Sequence, residues 1–234
     1  GLHMASAVPA VFSDEQLGLA DELIDAVKKS GKFYALFETS SFHEDTYAMR
    51  QIYKADGFGK LVYSEGEYYH QDCHTIPSYK DWRQGLPPQF YPTHSNAYYT
   101  CVTLGSFTSV TCLGMPSLVD VYSKDKNRYG NPFGTEVALL RTSEGGMSRM
   151  AVSWDMPGAH GERGRVYGQQ GAFEARYDGK ADVSKVDQNK WQLPTGMQGG
   201  GHGGAHGYLT DDFICSVLTN RQPRVNVATA LNTT

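Results

Sequence analysis

The spacing of apolar residues changes near Leu61, and this change constrains the fold more than any other feature of the chain. Apolar residues recur at helical spacing over residues 14–30 and again over 44–54. Over residues 61–70, apolar and polar residues alternate with the period of two that a half-buried strand shows. A chain that changes from one period to the other predicts helices and strands that are segregated along the sequence, which is typical of the α+β class.

The first part of the chain, residues 1–58, has the pattern of an α/β unit. Ser13 and Gln16 have the spacing of a capping box at the start of the first helix, and Gly31 follows its last turn. A short apolar run over residues 33–37 predicts a buried strand between the two helices. Helix, strand and helix in this order are typical of an α/β fold, of which this segment holds half a unit at most.

The second part, residues 59–234, predicts an open, mostly antiparallel sheet with helices on one face. Beyond the first strand, segments with strand composition are separated by glycine-rich turns. These segments are residues 107–113, 135–142, 147–154, 164–168 and 172–177. Residues 166–174 have the pattern of a hairpin. The helix that follows residue 208 carries an apolar stripe, which we expect to pack on the sheet. The stripe consists of Leu209, Phe213, Ile214, Val217 and Leu218.

Residues 199–207 read Gly-Gly-Gly-His-Gly-Gly-Ala-His-Gly and form the clearest candidate site. Glycines allow positive φ angles and a close approach of backbone to a ligand, and a helix start just downstream offers free N–H groups. The segment formally satisfies G-x-G-x-x-G, but Pro194 breaks the run before it, where a dinucleotide fingerprint requires a strand. We therefore expect His202 and His206 to face a substrate. A flexible surface loop is the alternative.

Charge and composition exclude several classes of partner. The net charge of −4 and the pI near 6.1 give no electrostatic footprint for nucleic acid or for an anionic membrane, and we expect neither partner. The four cysteines show no C-x-x-C spacing, which predicts buried thiols rather than a zinc knot or a disulfide framework. Fifteen tyrosines favour either a cleft for a carbohydrate or an open sheet face at a subunit contact.

Several short motifs stand in a fixed order along the chain, at residues 1–9, Phe42-His43, residues 65–68, Trp82-Arg83 and Gly203-Gly204. In this order they resemble the motifs of the Gfo/Idh/MocA oxidoreductases, whose members join an NAD(P)-binding Rossmann domain to an open-sheet substrate domain. The resemblance implies that residues 1–58 are the remnant of a Rossmann-type dinucleotide-binding domain and that residues 59–234 are the substrate domain. The resemblance implies NAD or NADP as the cofactor of the full-length protein, a carbohydrate substrate and a homo-oligomer formed through the sheet face.

Within the family, the chain is most similar to the NAD-dependent glycosidases of the α-N-acetylgalactosaminidase type. Tyr-Pro-Thr-His at residues 91–94 and Gly-His-Gly-Gly at residues 201–204 carry this resemblance. It implies oxidation of a sugar carbon by bound NAD, elimination of the aglycone, addition of water and return of the hydride.

Three positions depart from the family pattern. Val8 stands where the dehydrogenases have a lysine, Ala7 where the glycosidases have a glutamate, and Phe42 where a tyrosine is expected. Valine cannot exchange a proton, which disfavours the usual lysine-assisted dehydrogenase chemistry. The departures leave open whether the activity is altered or lost.

The resemblance and the residue chemistry together give a set of candidate site residues. We expect His94 to transfer protons because imidazole titrates near neutrality, and Tyr91 to orient a sugar hydroxyl or to assist. A structural histidine and a packed ring are the alternatives. The expected substrate contacts are Trp82, Arg83, His202, His206 and His70, and the resemblance implies cofactor contacts at Pro9, Glu38 and Thr39.

A second polar cluster consists of His70, Asp72 and His74. Three such ligands could hold a divalent metal, but polar residues at a strand end beside a cleft are commoner, and we predict no metal site.

These observations lead to two functional hypotheses. The first is the C-terminal part of an NAD(P)-dependent sugar oxidoreductase or glycosidase, and the second is a non-catalytic sheet domain that mediates oligomerisation or binds sugar. By the resemblance, the phosphate-binding glycine turn and the acidic ribose contact would precede Gly1. We therefore expect a fragment of a longer enzyme, which alone does not bind NAD tightly.

Overall fold

The computed structural model describes residues 1–11, 13–71, 82–158 and 160–234. These residues form a two-stranded parallel sheet, a seven-stranded sheet and five helices, which confirms the predicted α+β class. In chain order, the elements are β1 (Met4–Ser6), α1 (Leu17–Ser30), β2 (Tyr34–Leu36), α2 (Glu44–Lys54), β3 (Leu61–Tyr69), α3 (Thr93–Thr103), β4 (Phe107–Pro116), β5 (Phe133–Thr142), β6 (Met147–Ser153), β7 (Gly161–Gly168), β8 (Gly171–Phe173), β9 (Tyr177–Gly179), α4 (Gly201–Thr219) and α5 (Val227–Thr233).

The first part is a β-α-β unit. Strands β1 and β2 pair in parallel and are joined through α1, as a parallel connection requires. Gly31 ends α1 with a φ of 63°, as its position predicts. The predicted capping box is wrong, because the Ser13 side chain accepts no cap hydrogen bond. A 3-10 turn at Asp14–Gln16 opens the helix instead.

The large sheet has the strand order β4-β5-β6-β3-β7-β8-β9. Every neighbouring pair is antiparallel except β3 and β6, so the prediction of a mostly antiparallel sheet is confirmed. Strands β7 and β8 form the predicted hairpin, with Val166 opposite Phe173. The strand predicted over 172–177 is divided into β8 and β9, because residues 174–176 bend the chain.

Helix α3 is absent from the sequence prediction, although it lies at the centre of the molecule. Ten of its eleven residues are buried, so no apolar and polar faces alternate along it and the usual helical signal is missing. The helix packs directly on the large sheet. A Cβ atom at Gly66 would overlap the Ser95 carbonyl, and one at Gly164 would overlap the Tyr98 ring. These two glycines allow the close contact that places His94 beside the sheet.

The predicted packing of α4 on the large sheet is wrong. Its residue Leu209 joins a core cluster with Leu36 of β2, and Phe213 packs edge-on against Phe37. Two other members of the predicted stripe, Ile214 and Leu218, are exposed. Three left-handed residues at 202–204 kink α4 near its start. The rest of the helix then packs against the first part of the protein.

The thiol prediction is correct for only one of the described cysteines. Cys101 is buried, Cys215 is half-buried and Cys112 is exposed, and all three are free. Cys112 is exposed because it lies on β4, whose residues are almost all open to solvent. Cys73 lies outside the described residues. In the described ranges, no helix combines the length and the apolar character that a membrane crossing needs.

Candidate active site

His94 lies in the first turn of α3, and a carboxylate at the end of β2 fixes its ring. Nδ1 of His94 and Oε1 of Glu38 are 2.6 Å apart, and both side chains are buried. The same oxygen of Glu38 accepts the backbone N–H of Ser40 at 3.0 Å, because Glu38 also caps a short 3-10 turn at residues 39–42. The carboxylate is therefore held from two sides.

A second buried carboxylate, Glu162 of β7, lies on the other side of the histidine. Its Oε2 accepts the hydroxyl groups of Ser40 and Thr39, the latter at 3.2 Å. Its Oε1 lies 3.1 Å from Nδ1 of His202. Two further histidines are close, with His43 Nε2 at 3.4 Å and His94 Nδ1 at 3.7 Å from Oε2. Glu162 is thus the anion around which three imidazoles converge.

The charges in this cluster shift the proton affinities of its members. Burial raises the pKa of Glu162, but the hydrogen bond from His202 and the charges of His94 and His43 outweigh it and hold the pKa at about 2. Burial lowers the pKa of His94, yet the charge and hydrogen bond of Glu38 and the charge of Glu162 raise it above its usual value. Burial dominates at His43 and lowers its pKa.

The contact with Glu38 also determines the tautomer of His94. A carboxylate is only an acceptor, so Nδ1 carries the hydrogen and the neutral ring has its lone pair at Nε2. The contact with Glu38 engages Nδ1 and not Nε2. An imidazole backed in this way has the chemistry to accept a proton at Nε2.

Aromatic side chains form a wall beside His94. The ring centroids of Tyr91 and Tyr68 lie 5.2 Å and 4.7 Å from that of His94. Arg83 donates to the Tyr91 hydroxyl at 2.8 Å, and its guanidinium lies 5.0 Å from the Trp82 ring centroid. A cavity of about 350 Å³ opens beside this wall. Its lining includes Trp82, Tyr91, Phe90 and Tyr129, with Val8 and Pro9 from the end of β1.

The structure places five of the predicted site residues in one region, namely His94, Tyr91, Trp82, Arg83 and His202. His206 contacts this group through His202, and the centroids of these two rings are 5.0 Å apart. His70 directly follows β3. Its ring centroid lies 6.0 Å from that of Tyr68, whose ring in turn packs against His94. The other members of its predicted cluster, Asp72 and His74, lie outside the described residues.

The three predicted cofactor contacts are not equivalent. Glu38 and Thr39 are buried and contact His94 and Glu162, respectively. Pro9 is half-buried on the cavity wall. The cofactor contacts remain predictions.

Sequence reasoning missed Glu162 and the role of His43. Glu162 faces Tyr68 across the β3–β7 ladder, so its register points it to the side of the sheet that α3 covers. A charged residue at such an inward position is the signal that could have identified it, because strands otherwise place apolar side chains there.

Glu38, His94 and Glu162 also offer donor atoms of the kinds that a divalent metal accepts, all within 4.8 Å of one another. Ligands around a tetrahedral zinc ion lie about 3.3 Å apart, given metal–ligand distances of about 2.0–2.2 Å. The His94–Glu38 separation of 2.6 Å is shorter and is that of a charge-assisted hydrogen bond. The arrangement therefore shares a proton.

The comparisons with known proteins identify the fold. No family model and no curated protein matches this sequence. Solved structures do match, at low sequence identity. They include UDP-N-acetylglucosamine 3-dehydrogenase from Acidithiobacillus ferrooxidans, with a TM-score of 0.64, 15% identity and coverage of 99% of this chain and 66% of that chain. The fold is that of the Gfo/Idh/MocA-type sugar oxidoreductases.

Two further structures of this kind support the same assignment of fold. Aldose-aldose oxidoreductase from Caulobacter crescentus, complexed with glycerol, has a TM-score of 0.65 at 15% identity and covers 99% of this chain and 66% of that chain. Levoglucosan dehydrogenase, complexed with NADH and levoglucosan, has a TM-score of 0.69 at 12% identity and covers 99% of this chain and 68% of that chain. The chain spans about two thirds of the length of these enzymes.

Proposed function

We propose that this chain is the substrate-binding part of an NAD(P)-dependent sugar oxidoreductase in which His94 accepts a proton from a substrate hydroxyl. The observation that carries the proposal is the buried Glu38–His94 pair, whose imidazole packs against Tyr91 in the wall of an aromatic cavity. The names of the solved enzymes with this fold add support, since they specify a UDP-sugar, an aldose and levoglucosan.

Oxidation of a secondary alcohol requires a base as well as a hydride acceptor. The nicotinamide, when bound, supplies the hydride acceptor. The carboxyl ends of β1 and β2, where a Rossmann-type cofactor lies, lead in this chain to Pro9 and to Glu38. The 234 residues contain no glycine-rich phosphate turn behind a strand. We therefore assign residues 1–58 to the cofactor side and 59–234 to the substrate side, and place tight NAD binding in a longer form of the protein.

The wall of the cavity suits a sugar. Trp82 and Tyr91 offer ring faces for the apolar side of a pyranose, and the Arg83 guanidinium lies against both rings. The ring centroid of His202 lies 6.3 Å from that of His94. We assign Tyr91, Trp82, Arg83 and His202 to substrate orientation and His94 to proton transfer.

The redox-neutral glycosidase reaction is the finer alternative within this proposal. The motifs at residues 91–94 and 201–204 favour it. Both reactions begin with the same oxidation step and need the same base, so one panel of substrates separates them. A glycosidase releases the aglycone without net NADH, whereas a dehydrogenase accumulates NADH.

A second candidate function is association through the outer face of the large sheet. Strand β4 is exposed along almost its whole length, and Leu113 and Leu139 are 79% and 54% exposed. An apolar face of this kind is typical of a protein–protein contact. We propose that it binds a second copy of the chain, whether or not the site is catalytic.

The test uses the longest form of the protein that its gene encodes, alongside the 234-residue chain. Each form is incubated with NAD or NADP and a panel of aldoses, polyols and glycosides, and NADH and released aglycone are measured. We expect turnover in the longer form and a loss of about 10²- to 10⁴-fold in the His94→Ala variant, the usual contribution of a general base. Unchanged turnover in that variant would remove His94 from the mechanism.

A further inference from the structure

The cavity beside Tyr91 is larger than one sugar ring needs. An apolar protein cavity of about 150 Å³ holds one benzene molecule, so a volume of about 350 Å³ accommodates about two six-membered rings. Among the lining residues, Tyr91 packs against His94, with the two ring centroids 5.2 Å apart. A pyranose that presents its hydroxyl to His94 therefore lies on the Tyr91 side and leaves room for a second ring.

The rest of the lining is almost entirely apolar. Beyond Trp82 and Tyr91, it consists of Val8, Pro9, Leu86, Phe90 and Tyr129. None of these five side chains carries a charge, and the Tyr129 hydroxyl already donates to the backbone oxygen of Trp82 at 2.5 Å. A second sugar ring would leave most of its hydroxyl groups without partners here, and each unpaired group costs free energy. The remaining space therefore suits an apolar ring.

We infer that this part of the cavity is a subsite for an aromatic aglycone, so that the substrate is a glycoside of an aromatic alcohol rather than a free sugar or a polyol. The rings of Phe90 and Tyr129 meet edge to face, with their centroids 6.4 Å apart, and a flat ring can pack against such a pair. The inference rests on the proposed function for the sugar half of the ligand. The apolar subsite itself is a property of the folded chain.

The nicotinamide of the proposed cofactor is the other flat ring to consider at this end of β1, and the charge of Arg83 disfavours it. The guanidinium lies 5.0 Å from the Trp82 ring centroid and 4.7 Å from that of Tyr91. Oxidised nicotinamide is a cation, so the two positive charges oppose each other. Its carboxamide also requires hydrogen-bond partners, which the side chains of Val8, Leu86 and Phe90 cannot offer. A neutral aromatic ring has neither requirement.

The first test needs neither a sugar nor turnover. The probe is 2-naphthol, which is titrated into the chain with ¹³C-labelled methyl groups while NMR follows Val8 and Leu86. We expect the methyl signals of both residues to shift, because an aromatic ring changes the magnetic field at methyl groups that it contacts. Val62 is the internal reference, since it is 52% exposed against 48% for Val8 and does not line the cavity. Signals of Val8 and Leu86 that move no more than those of Val62 would overturn the subsite.

A pair of variants checks the location. Val8→Trp adds a bulky ring to the cavity lining at a residue that is half open to solvent, so the core is not disturbed. We expect it to weaken 2-naphthol binding at least about tenfold, whereas the matched control Val62→Trp leaves the Kd unchanged. Equal Kd values for the two variants would contradict the inference. Displacement of 2-naphthol by NAD in the longest form of the protein would identify the cavity as the nicotinamide site and would also overturn it.

The second test uses turnover in the longest form of the protein. For each sugar that is accepted, KM is compared between the methyl glycoside and the 2-naphthyl glycoside of the same anomer. We expect the 2-naphthyl glycoside to have a KM about 10- to 100-fold lower, the usual effect of burying an aromatic ring, and Val8→Trp to remove this difference. Equal KM values would overturn the subsite while the proposed function stands. If 2-naphthol binds in the first test but no glycoside or sugar is turned over, the proposed function fails while the subsite stands.

Discussion

Replacing Glu38 by glutamine tests the core of the site most directly, because it removes one charge and changes almost no volume. A hydrogen bond to a charged partner contributes about 1.5–3 kcal/mol, and one pKa unit corresponds to about 1.4 kcal/mol. We therefore expect the pKa of His94 to fall by about 1–2 units. Burial opposes the charged form of this ring, so the pKa should fall below the ordinary value for histidine.

The same substitution changes the tautomer. A glutamine at position 38 can donate its amide N–H to Nδ1, which moves the ring hydrogen of His94 to Nε2. Nε2 then becomes a donor and can no longer accept a proton. We expect turnover to fall about 10²- to 10⁴-fold, the usual range for a general base.

Two assays measure these effects. An NMR titration of the histidine Cε1–H signals gives the pKa of His94, and NADH formation gives the rate. Glu144→Gln is the matched control, because Glu144 is also a partly buried glutamate that accepts hydrogen bonds, in its case from Tyr53 and Tyr99. If the pKa of His94 moves by less than about 0.3 units in Glu38→Gln, the ion pair is not what sets its proton affinity, and the reasoning is refuted.

Three further predictions concern stability and assembly. The pKa of Glu162 is depressed from 4.5 to about 2, so its stabilisation is present above pH 4.5 and lost as pH falls towards 2. In an acid-unfolding series, we expect Glu162→Gln to remove at most about 3 kcal/mol of the pH-dependent part of the free energy of unfolding. If this free energy falls with pH in the variant as it does in the wild type, the prediction is wrong. Gly66→Ala should destabilise the fold by at least about 2 kcal/mol, because its Cβ overlaps the Ser95 carbonyl. Gly18→Ala, whose Cβ meets nothing, should instead stabilise by about 0.5–1 kcal/mol, and equal denaturation midpoints for the two variants would refute this account. Leu139→Glu should shift any dimer to monomer in sedimentation velocity; a dimer that persists would exclude the outer sheet face as the contact.

The secondary structure was largely predictable, because most elements have one apolar face. The bounds of α2 and the positions of β3, β5 and β6 follow from periodicity alone. Helix α3 was not predictable in this way, since its surroundings bury all its sides and its sequence mixes tyrosine, threonine and asparagine. The direction of α4 was also missed, because its apolar stripe does not indicate which part of the protein it meets.

The candidate site was predictable where a motif carried it and not where tertiary structure assembled it. His94, Tyr91 and His202 belong to short motifs that the sequence displays. Glu38 was predicted as a cofactor contact, but its hydrogen bond to His94 was not predicted, since nothing in the sequence indicates that the end of β2 meets the start of α3. Glu162 lies 124 residues beyond Glu38, and only the β3–β7 register brings it to the same histidine.

The location of the charged groups limits where proton chemistry can occur in this chain. Val8 lines the cavity from the side of β1 and cannot exchange a proton, and Ala7 beside it cannot either. Within the described residues, the carboxylates against His94 come from the end of β2 and from β7. In the proposed reaction, a substrate in this cavity therefore loses its proton to His94, whose ring packs against Tyr91 of the cavity wall. We therefore expect the uncharged residues at the end of β1 to be compatible with the proposed activity, because His94 supplies the base.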